Sequence, residues 1–212
     1  MRTGRTDVWY HQKYIDGGKT HVYIVMDGSS SMDRDLRIAQ ADAAFTVALG
    51  CELAGHRCRM AVFQSSHTMI TLENGDADMR NTHSIMKDWN ERISSKLKQM
   101  CQRRHWNVFS RGGGTPMAEN VRHAYERLAN VKTSGRKVLI AMSDGDFRNM
   151  DSDVLAMQRS GIEVVGVGID MKAFWNSPAL KREGVIGIST KDYPNMASCL
   201  ADGLSVALTG HH

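Results

Sequence analysis

Three short segments of this chain carry oxygen donors in patterns that suit a hard cation. The first is Asp27-Gly28-Ser29-Ser30-Ser31, where a carboxylate and two hydroxyls recur at every second position. The second is Ser143-Asp144-Gly145-Asp146. The third is Arg111-Gly112-Gly113-Gly114-Thr115-Pro116, in which a threonine hydroxyl follows a glycine run that permits close backbone approach. With no thiolate cluster and no obvious histidine pair beside them, these oxygens favour Mg2+, with Mn2+ or Ca2+ as substitutes. Mg2+ takes about six oxygens in near-octahedral geometry and keeps several waters. Ser29, Ser31 and Thr115 are therefore expected to supply oxygens directly or through water. Asp27 and Asp144 are expected to neutralise the ion, mostly through bridging waters. A shell rich in neutral hydroxyls leaves such an ion electrophilic, so an acidic ligand from outside is expected to complete it.

Each segment also has a plain local explanation. Asp27-Gly28 and Asp144-Gly145 can form turns, Ser29 to Ser31 can cap a helix, and Thr115-Pro116 is a good N-cap followed by proline at the first helical position. The agreement of three segments argues for a shared site. Asp33 and Asp146 are read as exposed acids outside it, and ligands on loop tips are expected to be replaceable without loss of the fold.

Such a site needs elements that bring the segments to one edge. Apolar runs rich in Val, Ile and Leu at 22–26, 60–63, 138–142, 164–169 and 185–188 read as buried strands. The polar stretch 64–67 reads as a hairpin into an antiparallel edge strand at 68–72. Helical patterns fall at 37–55, 81–104, 117–129, 151–159 and 195–208. The first is apolar on nearly every face, which predicts a covered helix. The second rests on Ile85, Trp89, Ile93, Leu97 and Met100 as one stripe. Strands alternating with helices predict an α/β, doubly wound, mainly parallel sheet with helices on both faces. In such a sheet ligands bind beyond the carboxyl ends of the strands, which is where Asp27 and Ser143-Asp144 fall.

The chain of 212 residues and 42% hydrophobic content is sized for one domain with a sizeable core. Its net charge of +4 is dispersed, which predicts a solvated mixed surface and no nucleic-acid partner. Cys51, Cys58, Cys101 and Cys199 form no C-x-x-C pair, so reduced thiols in a cytoplasmic protein are expected. No apolar run has the length of a membrane helix, and the N-terminus lacks the apolar centre of a signal peptide. Residues 1–20 read as a surface extension, 21–210 as the domain, and 211–212 as a possible tag remnant.

Asp27-Gly28-Ser29-Ser30-Ser31 resembles the D-x-S-x-S signature of the metal-ion-dependent adhesion site in von Willebrand factor A and integrin I domains. Thr115, in its Gly-Gly-Thr-Pro setting, is similar to that family's second loop, and Ser143-Asp144-Gly145 to its third. The resemblance runs from about residue 21 to 209 and implies six strands in the order 3-2-1-4-5-6 with strand 3 antiparallel. The run 112–121 looks most like the bacterial and phage branch, with the C-terminal domain of the cobaltochelatase T subunit, related to the magnesium chelatase D subunit, as the nearest type. That resemblance implies a non-catalytic adaptor that engages a ring-forming AAA+ ATPase. Residues 1–20 do not resemble the long acidic region that precedes the domain in those subunits, and nothing in this chain reads a tetrapyrrole.

Three other readings compete. A metal-dependent phosphohydrolase would place an ion beside Asp27 and Asp144, but Ser29 occupies the position where an aspartyl-phosphate enzyme wants a second acid, and the three loops lack a base. Nucleotide binding is disfavoured because G-x-x-x-x-G-K-[ST] does not occur and Gly166-Val167-Gly168 lacks a third glycine. A metal-free scaffold is the remaining alternative.

Overall fold

The structure, a computed structural model, describes residues 18–32, 34–71, 77–93, 117–144, 150–169, 185–190 and 198. Nine elements follow in chain order: β1 (His21–Asp27), α1 (Arg34–Leu53), β2 (Arg57–Thr71), β3 (Ala77–Lys87), α2 (Met117–Ala129), β4 (Lys137–Ser143), α3 (Asp151–Arg159), β5 (Ile162–Ile169) and β6 (Val185–Thr190). The strands form one mixed sheet in the order β3-β2-β1-β4-β5-β6. β1 pairs parallel with β2 and β4, β4 with β5, and β5 with β6, while β3 runs antiparallel to β2.

Alternation along the central strands sorts their side chains into two cores. Val22, Ile24 and Met26 of β1 join Ile140 and Met142 of β4 beneath α1, which contributes Ala41, Ala44, Phe45 and Ala48. Tyr23 and Val25 join Leu139 and Ala141 on the opposite face, beneath Val121, Ala124 and Leu128 of α2 and Val154 and Met157 of α3. A sheet covered on both faces explains why its strands read as continuous apolar runs. The apolar character of α1 has the same cause: it is covered along most of its circumference, and only residues such as Thr46 and Leu49 reach solvent.

Two sequence expectations are corrected. β2 continues unbroken through 64–67 to Thr71, so the hairpin expected there is absent and the edge strand is β3. The last pair between β1 and β2 is Asp27 with Phe63, and beyond it β2 pairs with β3 alone. Among the described residues no third strand lies beside this two-stranded ribbon past the end of the main sheet, and polar residues suit it. The helix expected over 81–104 is strand β3 up to Lys87 and non-helical over 88–93; the rest lies outside the described residues. The stripe misled because Ile85 lies on β3 and is exposed, whereas Trp89 sits in the turn that follows and packs against the core, so their spacing of four marks no shared face. The helix expected at 195–208 falls outside the described residues, Ser198 excepted, as does most of the N-terminal extension.

Candidate metal centre

Asp27 is the last residue of β1 and is fully buried, with no exposed surface. The loop-tip expectation is therefore corrected: this acid is part of the core's upper layer. By strand alternation it shares the face of Tyr23 and Val25, and Ser143 at the end of β4 shares the face of Leu139 and Ala141. The register pairs Met26 with Met142, which sets Asp27 beside Ser143. The Ser143 hydroxyl donates a short hydrogen bond to Asp27 Oδ2. On the other oxygen, Asp27 Oδ1 accepts from the Ser29 N–H at 2.7 Å.

From there the oxygens form a chain across two strand ends. Ser29 Oγ lies 2.9 Å from Ser31 Oγ, and the Ser31 hydroxyl donates to Asp144 Oδ1 at 2.9 Å. The structure thus brings together Asp27, Ser29, Ser31 and Asp144, four of the five residues singled out from the sequence. Thr115 lies outside the described residues, as do Asp33 and Asp146. The start of α2 is nevertheless informative. Asn120, in its first turn, has Oδ1 2.9 Å from His83 Nδ1, His83 pairs with Phe63, and Phe63 pairs with Asp27. The helix that begins two residues after Thr115 therefore starts over the strand ends that carry Asp27.

Two residues of this site escaped the sequence reading. In the sequence Ser143 stands out only as the lead-in to Asp144, although its position on β4 has the same parity as Asp27 on β1. Gln40 of α1 is fully buried. Pairing between β1 and β4 ends at Met26 and Met142, which leaves the N–H and C=O of Asp27 on that side without a strand partner. The Gln40 carboxamide, oriented to satisfy both, donates Nε2 to the Asp27 carbonyl at 3.1 Å and accepts the Asp27 N–H at 2.7 Å. A lone glutamine in a helix otherwise covered by apolar contacts was the available signal, because a buried amide must find partners.

Burial pushes the Asp27 carboxyl up to about 6 from its ordinary 3.8, against the lowering effect of the hydrogen bonds from Ser143 and Ser29, and the nearby Asp144 carboxylate raises it further. Among the described residues no Lys, Arg or His forms an ion pair with Asp27. Nor does any group of three or more His, Cys, Asp or Glu side chains gather there as a metal site. The donor set at the strand ends is two carboxylates and serine hydroxyls, all oxygen, and one carboxylate is buried without a described cation. Those residues fit a hard divalent cation, whose charge would offset the desolvation that burdens Asp27.

The sequence matches the von Willebrand factor type A domain over residues 21–197, and the chain belongs to that family. Solved structures agree at the level of fold. Proximal thread matrix protein 1 from the mussel byssus superposes with a TM-score of 0.64 at 15% identity, covering 90% of this chain and 47% of that one. The pilus adhesin SpaC from Lactobacillus rhamnosus GG gives 0.56 at 13% identity, covering 91% and 30%. The conserved hypothetical protein BatB from Bacteroides thetaiotaomicron gives 0.55 at 16% identity, covering 88% and 99%. This chain spans about half the length of the byssus protein and about a third of the adhesin. No curated protein sequence matches it. Among the described residues no helix is long and apolar enough to cross a membrane.

Proposed function

We propose that this domain is a Mg2+-dependent protein-binding module in which Asp27, Ser29, Ser31, Thr115 and Asp144 hold the ion, with Mn2+ or Ca2+ able to substitute. The observation that carries this reading is the hydrogen-bonded chain from buried Asp27 through Ser29 and Ser31 to Asp144. Its support from sequence is the match of these residues to the D-x-S-x-S and S-D-G elements of the metal-ion-dependent adhesion site. When bound, the ion supplies an electrophilic position for a carboxylate from outside the chain.

The residues themselves divide the task. Ser143 and the Ser29 N–H hold the Asp27 carboxylate in one orientation, and Gln40 fixes the backbone that carries it. Ser29 and Ser31 present hydroxyls at adjacent positions, and Asp144 restrains Ser31. The reading is a non-catalytic one, because Ser29 stands where an aspartyl-phosphate enzyme wants a second acid. The partner is a protein with an exposed Asp or Glu. Resemblance to the cobaltochelatase T-type subunit suggests a AAA+ ATPase ring in the cytoplasm, with this domain as the adaptor. The presence of a pilus adhesin among the structural neighbours supports adhesion as a use of this fold.

Affinity capture from the native host, with Mg2+ and with EDTA, tests the proposal. A protein retained only with Mg2+, and lost with Asp27→Ala, is the expected result. Capture that is indifferent to chelator and to the substitution would refute it.

A further inference from the structure

The opposite end of the sheet holds a hollow of about 200 Å³ between the C-terminal end of α1, the start of β2 and the segment after β3. Four cations line it, Lys19, Arg57, Lys87 and Arg92, against two carboxylates, Glu52 and Glu91. Both carboxylates already accept backbone N–H groups: Glu52 from Ile93 at 2.9 Å and Glu91 from Asp88 at 2.7 Å. The cations are differently placed. Among the described residues, none of the four has a carboxylate within ion-pair distance.

Lys87 is the unusual member. Only 3% of it is exposed. Its Nζ donates to the Cys58 carbonyl at 2.8 Å and the Asp88 carbonyl at 3.2 Å. An ammonium has three donors, so one remains without an acceptor among the described residues. A buried charge held by two neutral carbonyls and no counter-ion is costly, and chains seldom retain one unless something else offsets it. The volume is below the roughly 300–1,000 Å³ of drug-sized pockets and suits a single small charged group.

We propose that this hollow is an oxyanion site, which takes a phosphate or carboxylate group on the free donor of Lys87, with Arg57, Arg92 and Lys19 completing the positive lining. Guanidinium forks beside an ammonium match the oxygens of either anion. The site is separate from the carboxyl-end residues and does not depend on their binding a metal.

The test uses the full chain freed of divalent metal on a chelating resin, with no soluble chelator present, so that Mg2+ plays no part and a failure here leaves the metal reading untouched. Inorganic phosphate and acetate are each titrated by calorimetry and by thermal melting, against KCl at equal ionic strength. The expected result is saturable binding of at least one anion, with melting raised beyond the KCl control. Phosphate alone binding identifies a phosphoryl group as the occupant; acetate binding as well widens it to carboxylates. Lys87→Met is expected to weaken binding about tenfold or more, and Arg92→Gln, at the exposed mouth, about threefold to tenfold. Should Lys87→Met not fold, Arg57→Gln and Arg92→Gln carry the test together. Melting shifts equal to those in KCl, or variants that bind as the parent does, would overturn the proposal and leave Lys87 as a lysine that ties β2 to the end of β3.

Discussion

The two ends of the sheet carry opposite electrostatic problems. At the carboxyl end Asp27 is a buried carboxylate with no described cation, held by a hydroxyl and a backbone N–H. At the amino end Lys87 is a buried ammonium with no described carboxylate, held by two carbonyls. Through Met60 of β2, Lys87 shares the register of Ile24, three residues along β1 from Asp27, or about 10 Å at the usual rise of a strand, and it stands two strands across the sheet. No ion pair joins the two groups. A domain with a strong apolar core on both faces can carry two such uncompensated groups, each of which makes sense if a ligand of opposite sign binds there. The comparison teaches where to look for function: at the charged group whose burial the fold itself does not repay.

The largest expected effect breaks the comparison at the carboxyl end. Asp27→Ala should weaken Mg2+ binding by about a hundredfold or more, beyond the tenfold to hundredfold typical of outer partners of a metal ligand. Calorimetry on the folded variant checks it, and anion binding at the Lys87 end should be unchanged.

A pH series sharpens the contrast. Asp27 has a folded pKa of about 6 against an ordinary 3.8. A carboxyl raised on folding leaves the metal-free protein most stable below the unfolded value, with stability lost as pH climbs through the folded one. Relative to Asp27→Asn, the metal-free parent should therefore lose of the order of 2–3 kcal/mol between pH 4 and pH 7 and little more above that. Mg2+ should reverse the trend, since it needs the ionised acid. Burial lowers the pKa of His83, which has the opposite sign: its contribution is present above about pH 6.5 and is lost as pH falls. Subtracting the Asp27→Asn curve removes that background.

Gln40→Leu should cost about 1–3 kcal/mol, because it leaves the Asp27 N–H and C=O without partners in the core. Chemical denaturation measures this, and Mg2+ affinity should drop about tenfold as the carboxylate loses its fixed backbone. The smallest effect is expected from Tyr23→Phe. The Tyr23 hydroxyl lies 2.7 Å from His83 Nε2, and losing it should cost about 1 kcal/mol in denaturation without changing Mg2+ or anion binding.

Much of this arrangement was legible in the residues. Apolar runs marked the central strands because both of their faces are covered, and Met117–Ala129 and Asp151–Arg159 fell at their observed bounds because their apolar stripes face one core. The β2–β3 ribbon was misread for two physical reasons. Among the described residues its outer half lacks the third strand that would impose an apolar pattern, and the spacing of Ile85 and Trp89 imitates a helical stripe although one lies on β3 and the other in the turn after it. At the site, Asp27, Ser29, Ser31 and Asp144 were legible because their chemistry is concentrated in short segments. Ser143 and Gln40 were not, since one acts through strand parity and the other across from a helix far along the chain. Lys87 was also invisible as a special residue: nothing in the sequence distinguishes a lysine that folding buries from one that it leaves in water.

The most direct test of the central claim is a calorimetric titration of Mg2+ into the metal-free chain near pH 7.5, repeated with Asp27→Ala and Thr115→Ala. The account predicts one saturable site in the parent, loss of it in both variants, and melting raised by roughly 2.7 kcal/mol of stabilisation at a hundredfold excess over Kd. No heat and no change in melting in the parent, or equal binding in the parent and the Asp27 variant, would contradict it.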